Sequence, residues 1–247
     1  MKALLVVLAL VITSTAFAAD NLADKVNAAL AADARPAEDI ARDKNRKPLE
    51  TLTFFGLKDD MKVLELLPGS GWYTRVLAPV LADNGEYYVA LRTDNVKDGV
   101  LQEAGFEDAN LLETDGNVRR DNDIGAYVID AFSFDETDFD MVLTFRNQHN
   151  FLAESRATLN TAVFGALKSG GLYGVVDHTR RHMEPRNSEN RRRLDPVLVT
   201  KEILDAGFEL VDYSDLHYRA DDELEYEVGR RSVSGNTDRF TLLFRKP

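Results

Sequence analysis

The sequence contains no cysteine among its 247 residues. Disulfide bonds, zinc sites built from thiolates and a cysteine nucleophile are therefore excluded. Two catalytic motifs are also missing. No G-x-S-x-G pattern marks the exposed serine of a hydrolase, and no G-x-x-x-x-G-K pattern marks a P-loop. These absences disfavour hydrolases and exclude P-loop enzymes.

Positive charge is scarce, because 30 Lys and Arg residues stand against 42 Asp and Glu residues, for a formal net charge of -12. Phosphate contacts need a basic face, so this balance argues against a general nucleic-acid binder. Hydrophobic residues make up 44% of the chain and charged residues 29%, which is typical of a globular protein. The length allows one large α/β domain or two small ones, and one is the simpler interpretation.

Long apolar runs are absent except at the N-terminus. There, Lys2 precedes "ALLVVLALVI", and Ala16 and Ala18 form an A-x-A pattern. The pattern predicts a signal peptide over residues 1–18, cleaved after about Ala18, and hence an exported, periplasmic protein. The alternative is an uncleaved anchor, but the run is shorter than the roughly 20 residues that span a bilayer.

The remaining sequence alternates apolar runs with amphipathic segments. Runs typical of strands include "MKVLELL", "EYYVAL", "FDMVLTF" and "LYGVVDH", several of them apolar on both faces. This alternation predicts an α/β fold with a doubly wound, Rossmann-like, mostly parallel sheet and helices on both faces. The last runs, "FELVDYSDL" and "DRFTLLFRK", flank a polar connection without a convincing helix, which predicts a C-terminal antiparallel hairpin at the sheet edge.

Several local predictions accompany this fold. Residues 20–33 are predicted to be helical, and residues 19–44 to form a helical extension before a domain over 45–247. The polar residues 114–126 are predicted to be a loop. Gly170 and Gly171 are predicted to end a helix over about 152–167.

The stretch "VLELLPGSGWYT" joins the first predicted strand to a helix beginning near Trp72. In an open parallel sheet, ligands bind beyond the carboxyl ends of the strands. Glycines there let the backbone approach a ligand, and Glu65 could meet a cationic or hydroxyl-bearing group. A dinucleotide fingerprint needs a third glycine where Thr74 stands, which disfavours a nicotinamide oxidoreductase. A plain structural turn is the alternative.

With the strand layout, "VLELLPGSG" resembles motif I of class I S-adenosylmethionine-dependent methyltransferases. In that motif an acid precedes Gly-x-Gly-x-Gly after the first strand. "FDMVLTFRNQHN", "ALKSGGLYGVVDH" and "DAGFELVDYSDL" resemble the family's fourth strand, fifth strand and following helix–strand pair. Together with the signal peptide, the chain is similar to an exported branch of predicted methyltransferases. The resemblance covers about residues 45–247 and implies a seven-stranded methyltransferase-type sheet with S-adenosylmethionine as cofactor.

The resemblance also implies cofactor-binding residues: Glu65, Pro68, Gly69, Ser70, Gly71, Asp130, Phe145 and Arg146. The acid or polar group near the adenine could be Asp115 or Asp130, with Asp130 favoured because it follows a strand-like run. Two positions depart from the family pattern, since Leu67 replaces the first glycine and Leu91 stands where an acid would hold the ribose. A bulky residue at Gly71 is expected to abolish cofactor binding while the protein stays folded.

The segment "RNQHN" after the fourth strand supplies the catalytic candidates, Asn147 and His149. A neutral imidazole at His149 could take a proton from a nucleophilic substrate. The alternative is a hydrogen-bonded turn that caps the next helix. Because methyl transfer is a direct displacement, positioning could matter more than a base.

A second polar segment, "DHTRRH", contains Asp177, His178 and His182. The histidines are four residues apart, but arginines intervene and no metal is predicted. Asp177 or His178 could contact substrate. A basic island comprises Arg180, Arg181, Arg186, Arg191, Arg192 and Arg193. It could receive an anionic substrate, although a solvated surface is the preferred interpretation.

The sequence therefore predicts an S-adenosylmethionine-dependent methyltransferase acting on an unknown small-molecule or protein acceptor. The alternative is an exported, non-catalytic binding protein that retains the fold, which Leu67 and Leu91 favour. A nicotinamide oxidoreductase is the third possibility. A small-molecule substrate is expected, without nucleic acid and without a membrane span after signal removal, and the oligomeric state is not predicted.

Overall fold

The computed structural model describes residues 22–123 and 125–247. The predicted signal peptide, residues 1–18, lies outside the described residues. Within these two ranges, no helix is both long enough and apolar enough to cross a lipid bilayer.

Four helices precede the first strand in the described part of the chain. They are residues 22–30 (α1), Ala37–Ile40 (α2), Asp43–Arg46 (α3) and Pro48–Phe54 (α4). Pro48 opens α4 at a position where a missing N–H is tolerated. Leu22 and Val26 of α1 belong to the same buried cluster as Leu52 and Phe55. The helix predicted over residues 20–33 is confirmed over residues 22–30, and residues 31–33 lie beyond its end.

The main sheet has seven strands in the order β3-β2-β1-β6-β7-β9-β8. They are β1 (Lys62–Leu66), β2 (Glu86–Ala90), β3 (Ala109–Leu112), β6 (Phe139–Phe145), β7 (Leu167–His178), β8 (Glu209–Ser214) and β9 (Arg239–Arg245). The first five are parallel, and β9 runs antiparallel between β7 and β8. The predicted doubly wound sheet with an antiparallel C-terminal hairpin is confirmed.

Four further α-helices connect these strands across the two described ranges. They are α5 (Thr74–Leu81), α6 (Asp94–Lys97), α7 (Ala153–Ala166) and α8 (Pro196–Asp205). Successive strand residues alternate between two buried clusters: Val63 and Met141 pack with α1, α4 and α5, whereas Leu64 and Val142 pack with α7 and α8. Because alternate side chains point to opposite faces, helices cover both sides of the sheet.

Two local predictions are wrong. Arg119–Asp121, inside the predicted loop 114–126, forms β4 and pairs with β5 (Ala126–Val128) in a separate two-stranded sheet. Gly170 and Gly171 do not end α7, because that helix stops at Ala166 and β7 begins directly at Leu167. Gly170 adopts a φ of 80°, and both glycines lie where the β6–β7 register shifts. The backbone freedom of these glycines therefore allows an irregularity within β7 and does not terminate a helix.

Candidate functional site

A cavity of about 210 Å³ lies at the carboxyl ends of β1 and β6. Most of the site residues predicted from the sequence line it: Glu65, Pro68, Gly69, Ser70, Phe145, Arg146 and Asn147. They converge because β1 and β6 are adjacent parallel strands whose ends meet at one edge of the sheet. Arg42 and Arg46 complete the wall from the N-terminal helices. The turn after β1 therefore borders a cavity that a ligand could enter.

The turn after β1 is held in a left-handed conformation. Leu67 has a φ of 51° and Gly69 a φ of 63°. Such a φ costs a leucine roughly 1–2 kcal/mol, and hydrogen bonds oppose that cost. The Asn147 side-chain amide donates to the carbonyls of Leu66 and Leu67 at 3.3 and 3.1 Å. Asn147 thus positions the turn, and a Cβ at Gly69 would meet no atom within 4 Å.

Gly71 has a different surrounding from Gly69. It does not line the cavity, and a Cβ there would lie 2.6 Å from Val100 Cγ1 and 3.2 Å from Val96 Cγ1. Its φ is 84°. A bulky residue at Gly71 is therefore expected to disturb the fold as well as the turn, because the added side chain would meet core valines.

Glu65 is the penultimate residue of β1 and is buried inside the protein. Thr74 donates to the carboxylate at 3.1 Å, and the Tyr87 hydroxyl donates to the same oxygen. Burial raises the pKa of Glu65 to about 7, although both hydrogen bonds and the nearby Arg46 act in the opposite direction. Thr74, which replaces the third glycine of a dinucleotide motif, is thus a partner of the acid.

Aromatic rings form one wall of the cavity. Tyr73 and Phe145 stack with centroids 3.5 Å apart and planes 10° from parallel, and Trp72 meets Tyr73 edge-on at 4.6 Å. The Trp72 indole N–H donates to the Asp39 carbonyl at 3.0 Å, and the Arg46 guanidinium lies 4.3 Å from the indole centroid. The N-terminal helices are therefore fixed against the site.

Polar groups after β6 meet the end of β7. His149 Nδ1 donates to Asp177 Oδ1 at 2.6 Å, and the His149 backbone N–H donates to Asp177 Oδ2 at 3.0 Å. The rings of His149 and His178 lie 5.5 Å apart. Burial, followed by repulsion from nearby positive charges that include Arg239, Arg146 and Arg193, holds the pKa of His178 well below its ordinary value. Two segments singled out separately in the sequence thus form one cluster.

A second, larger cavity of about 370 Å³ shares Arg42, Arg46 and Arg146 with the first. His178 and Arg239 also line it. Arg46 and Arg239 escaped the sequence-based prediction, because neither lies in a recognisable motif and they are far apart along the chain.

The acids expected near a nucleoside are elsewhere. Asp130 is exposed, pairs with Arg119 at 2.8 Å and accepts a hydrogen bond from Asn117. Neither Asp130 nor Asp115 lines the cavity after β1. The structure therefore gives no support to Asp130 as a cofactor-binding residue. Leu91 stands where the resemblance would place a ribose-binding acid. It is buried with a φ of 66° and packs in an apolar cluster, so this position offers no carboxylate to a ribose.

The basic island does not form one surface. Arg193 is fully buried and pairs with Asp222, whereas Arg181, Arg186 and Arg191 are exposed. His182 contacts Asp195 at 2.9 Å, away from the Thr237 partner of His178. Across residues 22–123 and 125–247, no three metal-ligating side chains come together.

No protein-family model and no curated protein sequence matches the chain.

Solved structures match it at the level of the fold. A SAM-dependent methyltransferase from Aquifex aeolicus matches with a TM-score of 0.58 and 14% identity, over 83% of this chain and 92% of its own. The glycopeptide N-methyltransferase MtfA, solved with S-adenosylmethionine, matches with a TM-score of 0.53 and 18% identity, over 82% and 94%. The [4+2]-cyclase SpnF matches with a TM-score of 0.57 and 16% identity, over 82% and 80%.

These matches show that the chain has the Rossmann-like fold of class I S-adenosylmethionine-dependent methyltransferases. The same fold also carries a cyclase, so the reaction has to be argued from the site.

Proposed function

We propose that the chain is an S-adenosylmethionine-dependent methyltransferase. The observation that carries the proposal is the cavity after β1, bordered by Gly69 and the buried Glu65, in a fold shared with methyltransferases. MtfA, which has this fold, has been solved with S-adenosylmethionine bound.

The lining of the cavity suits the amino-acid half of this cofactor. The guanidinium group of Arg46 would hold a carboxylate, for which its planar fork is adapted, whereas the neighbouring Arg42 is already paired with Asp39. Glu65 would face the ammonium or sulfonium charge, and a nearby positive charge favours the ionised carboxylate over the neutral form. Gly69 leaves room for close approach of the backbone.

The adenosine half fits less well. The cavity holds about 210 Å³, below the roughly 300 Å³ at which pockets for drug-sized ligands begin. Leu91 replaces the ribose-holding acid and is buried among apolar side chains. Binding of the whole cofactor therefore requires the side chains around Leu91 to move apart and enlarge the cavity.

His149 is the proposed proton acceptor. Because Asp177 accepts from Nδ1–H, the neutral ring keeps a lone pair on Nε2 that can take a proton from a nucleophile. When bound, S-adenosylmethionine supplies an electrophilic methyl group. Asn147 has a positioning role in this proposal, since its amide is engaged by the turn carbonyls.

The buried, apolar Leu91 at the position of a ribose-binding acid favours a second candidate, a non-catalytic binding protein that retains the fold. Export, which we propose from the N-terminal pattern of residues 1–18, favours it further. An exported methyltransferase would need its charged cofactor delivered across a membrane.

Isothermal titration of the purified protein with S-adenosylmethionine, methionine and adenosine separates the two candidates. A methyltransferase should bind S-adenosylmethionine with a Kd in the range of about 1 μM to 1 mM. Glu65→Gln should weaken that binding about tenfold, whereas the exposed Arg231→Gln should leave it unchanged. Absence of heat with S-adenosylmethionine at about 1 mM would instead support the binding protein.

A further inference from the structure

Five of the described arginines line the larger cavity, and two of them are paired with carboxylates, Arg42 with Asp39 and Arg192 with Glu227. The other three come from distant parts of the chain. Arg46 ends α3, Arg146 follows β6, and Arg239 begins β9. Within the described residues, none of the three side chains donates a hydrogen bond to a carboxylate. Arg239 donates to the Asn45 carbonyl at 2.8 Å, and its Nε has no partner.

Arg46 and Arg239 are almost excluded from water, and Arg146 is partly buried. Arg46 is 5% exposed and Arg239 7% exposed. Burial is the main cause that lowers the pKa of Arg46 to about 8 and that of Arg239 to about 10, and repulsion from Arg146 adds to both shifts. Gathering buried cations without a carboxylate bonded to them costs free energy, because desolvation and mutual repulsion act together.

Elsewhere in the core the chain supplies carboxylates to its arginines. The buried or partly buried pairs are Arg35–Asp43, Arg156–Glu202 and Arg193–Asp222. Arg46, Arg146 and Arg239 therefore differ from the carboxylate-paired arginines of the same molecule. These three arginines line an open cavity, and none of the described residues in its wall is acidic.

Neither His178, which lines the cavity, nor the nearby Asp177 supplies a counter-charge to these arginines. His178 is held neutral and lies 2.8 Å from the Thr237 hydroxyl through Nδ1. Asp177, whose charge acts on Arg146 and Arg239, is fully buried and already accepts from two His149 groups and the His178 backbone.

We propose that this cavity binds an oxyanion, a phosphate or carboxylate group of a small molecule, between Arg46, Arg146 and Arg239. Guanidinium groups match both oxyanions through paired hydrogen bonds. The volume of about 370 Å³ falls within the range of small-molecule pockets, so it holds more than the anionic group alone. Anion binding does not rest on the proposed methyl transfer; in a methyltransferase, the anionic ligand of this adjoining cavity would be the acceptor.

The test uses inorganic phosphate and citrate as separate probes, in chloride buffer of matched ionic strength and without any cofactor. Thermal unfolding and calorimetric titration of the purified protein should show stabilisation and binding by at least one of them. Response to phosphate alone assigns a phosphorylated ligand, and response to citrate alone assigns a carboxylate. No response to either beyond that of chloride overturns the proposal, whatever S-adenosylmethionine does.

Variants distinguish a binding role from a structural one. Arg146→Gln and Arg239→Gln should each lower the affinity for the anion about tenfold or more. The exposed Arg231→Gln should keep the affinity of the parent protein. Without anion, Arg146→Gln should unfold at the same temperature as the parent or higher, because it relieves repulsion. Equal anion affinity in Arg146→Gln and Arg231→Gln overturns the site. Arg46→Gln provides the same comparison if Arg146→Gln does not fold.

Discussion

The Tyr87 hydroxyl on β2 donates a hydrogen bond to the Glu65 carboxylate on β1, within the covered interior of the sheet. Thr74 donates to the same carboxylate oxygen. Burial nevertheless outweighs both donors and raises the pKa of Glu65 to about 7, above its ordinary value of 4.5. Protonation of Glu65 is therefore linked to folding.

Between pH 4.5 and about 7, the folded protein keeps a proton on Glu65 that the unfolded chain releases. The resulting stabilisation is fully present below pH 4.5 and is lost as pH rises through about 7. Glu65→Gln should remove this dependence, so its free energy of unfolding relative to the parent should rise across that window. Urea denaturation of both proteins at several pH values checks this, and parallel profiles would contradict it.

The two glycines of the turn should respond differently to alanine. Gly69→Ala places a methyl in open space and should cost only about 1 kcal/mol for its positive φ. Gly71→Ala adds a contact of 2.6 Å to Val100 and should cost about 3 kcal/mol in total. Urea midpoints of the two variants measure the difference, and equal losses would refute the packing assigned to Gly71.

Asp222 and Arg193 form a fully buried ion pair, with bonds of 2.8 and 3.0 Å. Asp222→Asn should destabilise the protein by about 3–5 kcal/mol, since it leaves a buried guanidinium without its counter-charge. Glu209→Gln, which breaks an exposed pair with Arg245, should cost less than about 1 kcal/mol. Denaturant titration of both variants measures the two losses in free energy of unfolding. Equal losses would show that the Arg193 pair contributes no more than the exposed one.

His217 joins the N-terminal helices to β9 as a neutral ring. Its Nε2–H donates to the Arg46 carbonyl at 3.0 Å, and its Nδ1 accepts from the Thr241 hydroxyl at 2.7 Å. Burial lowers its pKa from 6.5 to about 4, so stability should fall as pH drops from about 6.5 to 4. NMR of the ring should show no titration of His217 between pH 8 and 5.5, and a midpoint near 6.5 would contradict the burial.

Features encoded by neighbouring residues were predictable from the sequence. Glu65 and Gly69 stand out because an acid and a glycine follow an apolar strand, and the fold places both at the cavity. His149 and Asp177 were separate candidates, since His149 follows one strand and Asp177 lies at the end of another; only the adjacency of β6 and β7 shows that they are hydrogen-bonded.

Features that depend on tertiary contacts were not predictable. Arg46 and Arg239 converge only because α3 and the start of β9 pack at one end of the sheet. Gly170 carries the same sequence signal as a helix end, although its positive φ serves a shift in strand register. Asp130 follows a strand-like run as expected, but it turns to the surface, where Arg119 holds it.

The chain contains a single tryptophan, Trp72, and that residue lines the first cavity beneath the Arg46 guanidinium. An arginine drawn toward a ligand would change its contact with the indole ring, and with it the electrostatic field at that ring. The intrinsic fluorescence of the unlabelled protein thus arises next to both cavities, and its emission can follow ligand entry in a stopped-flow instrument without any added dye.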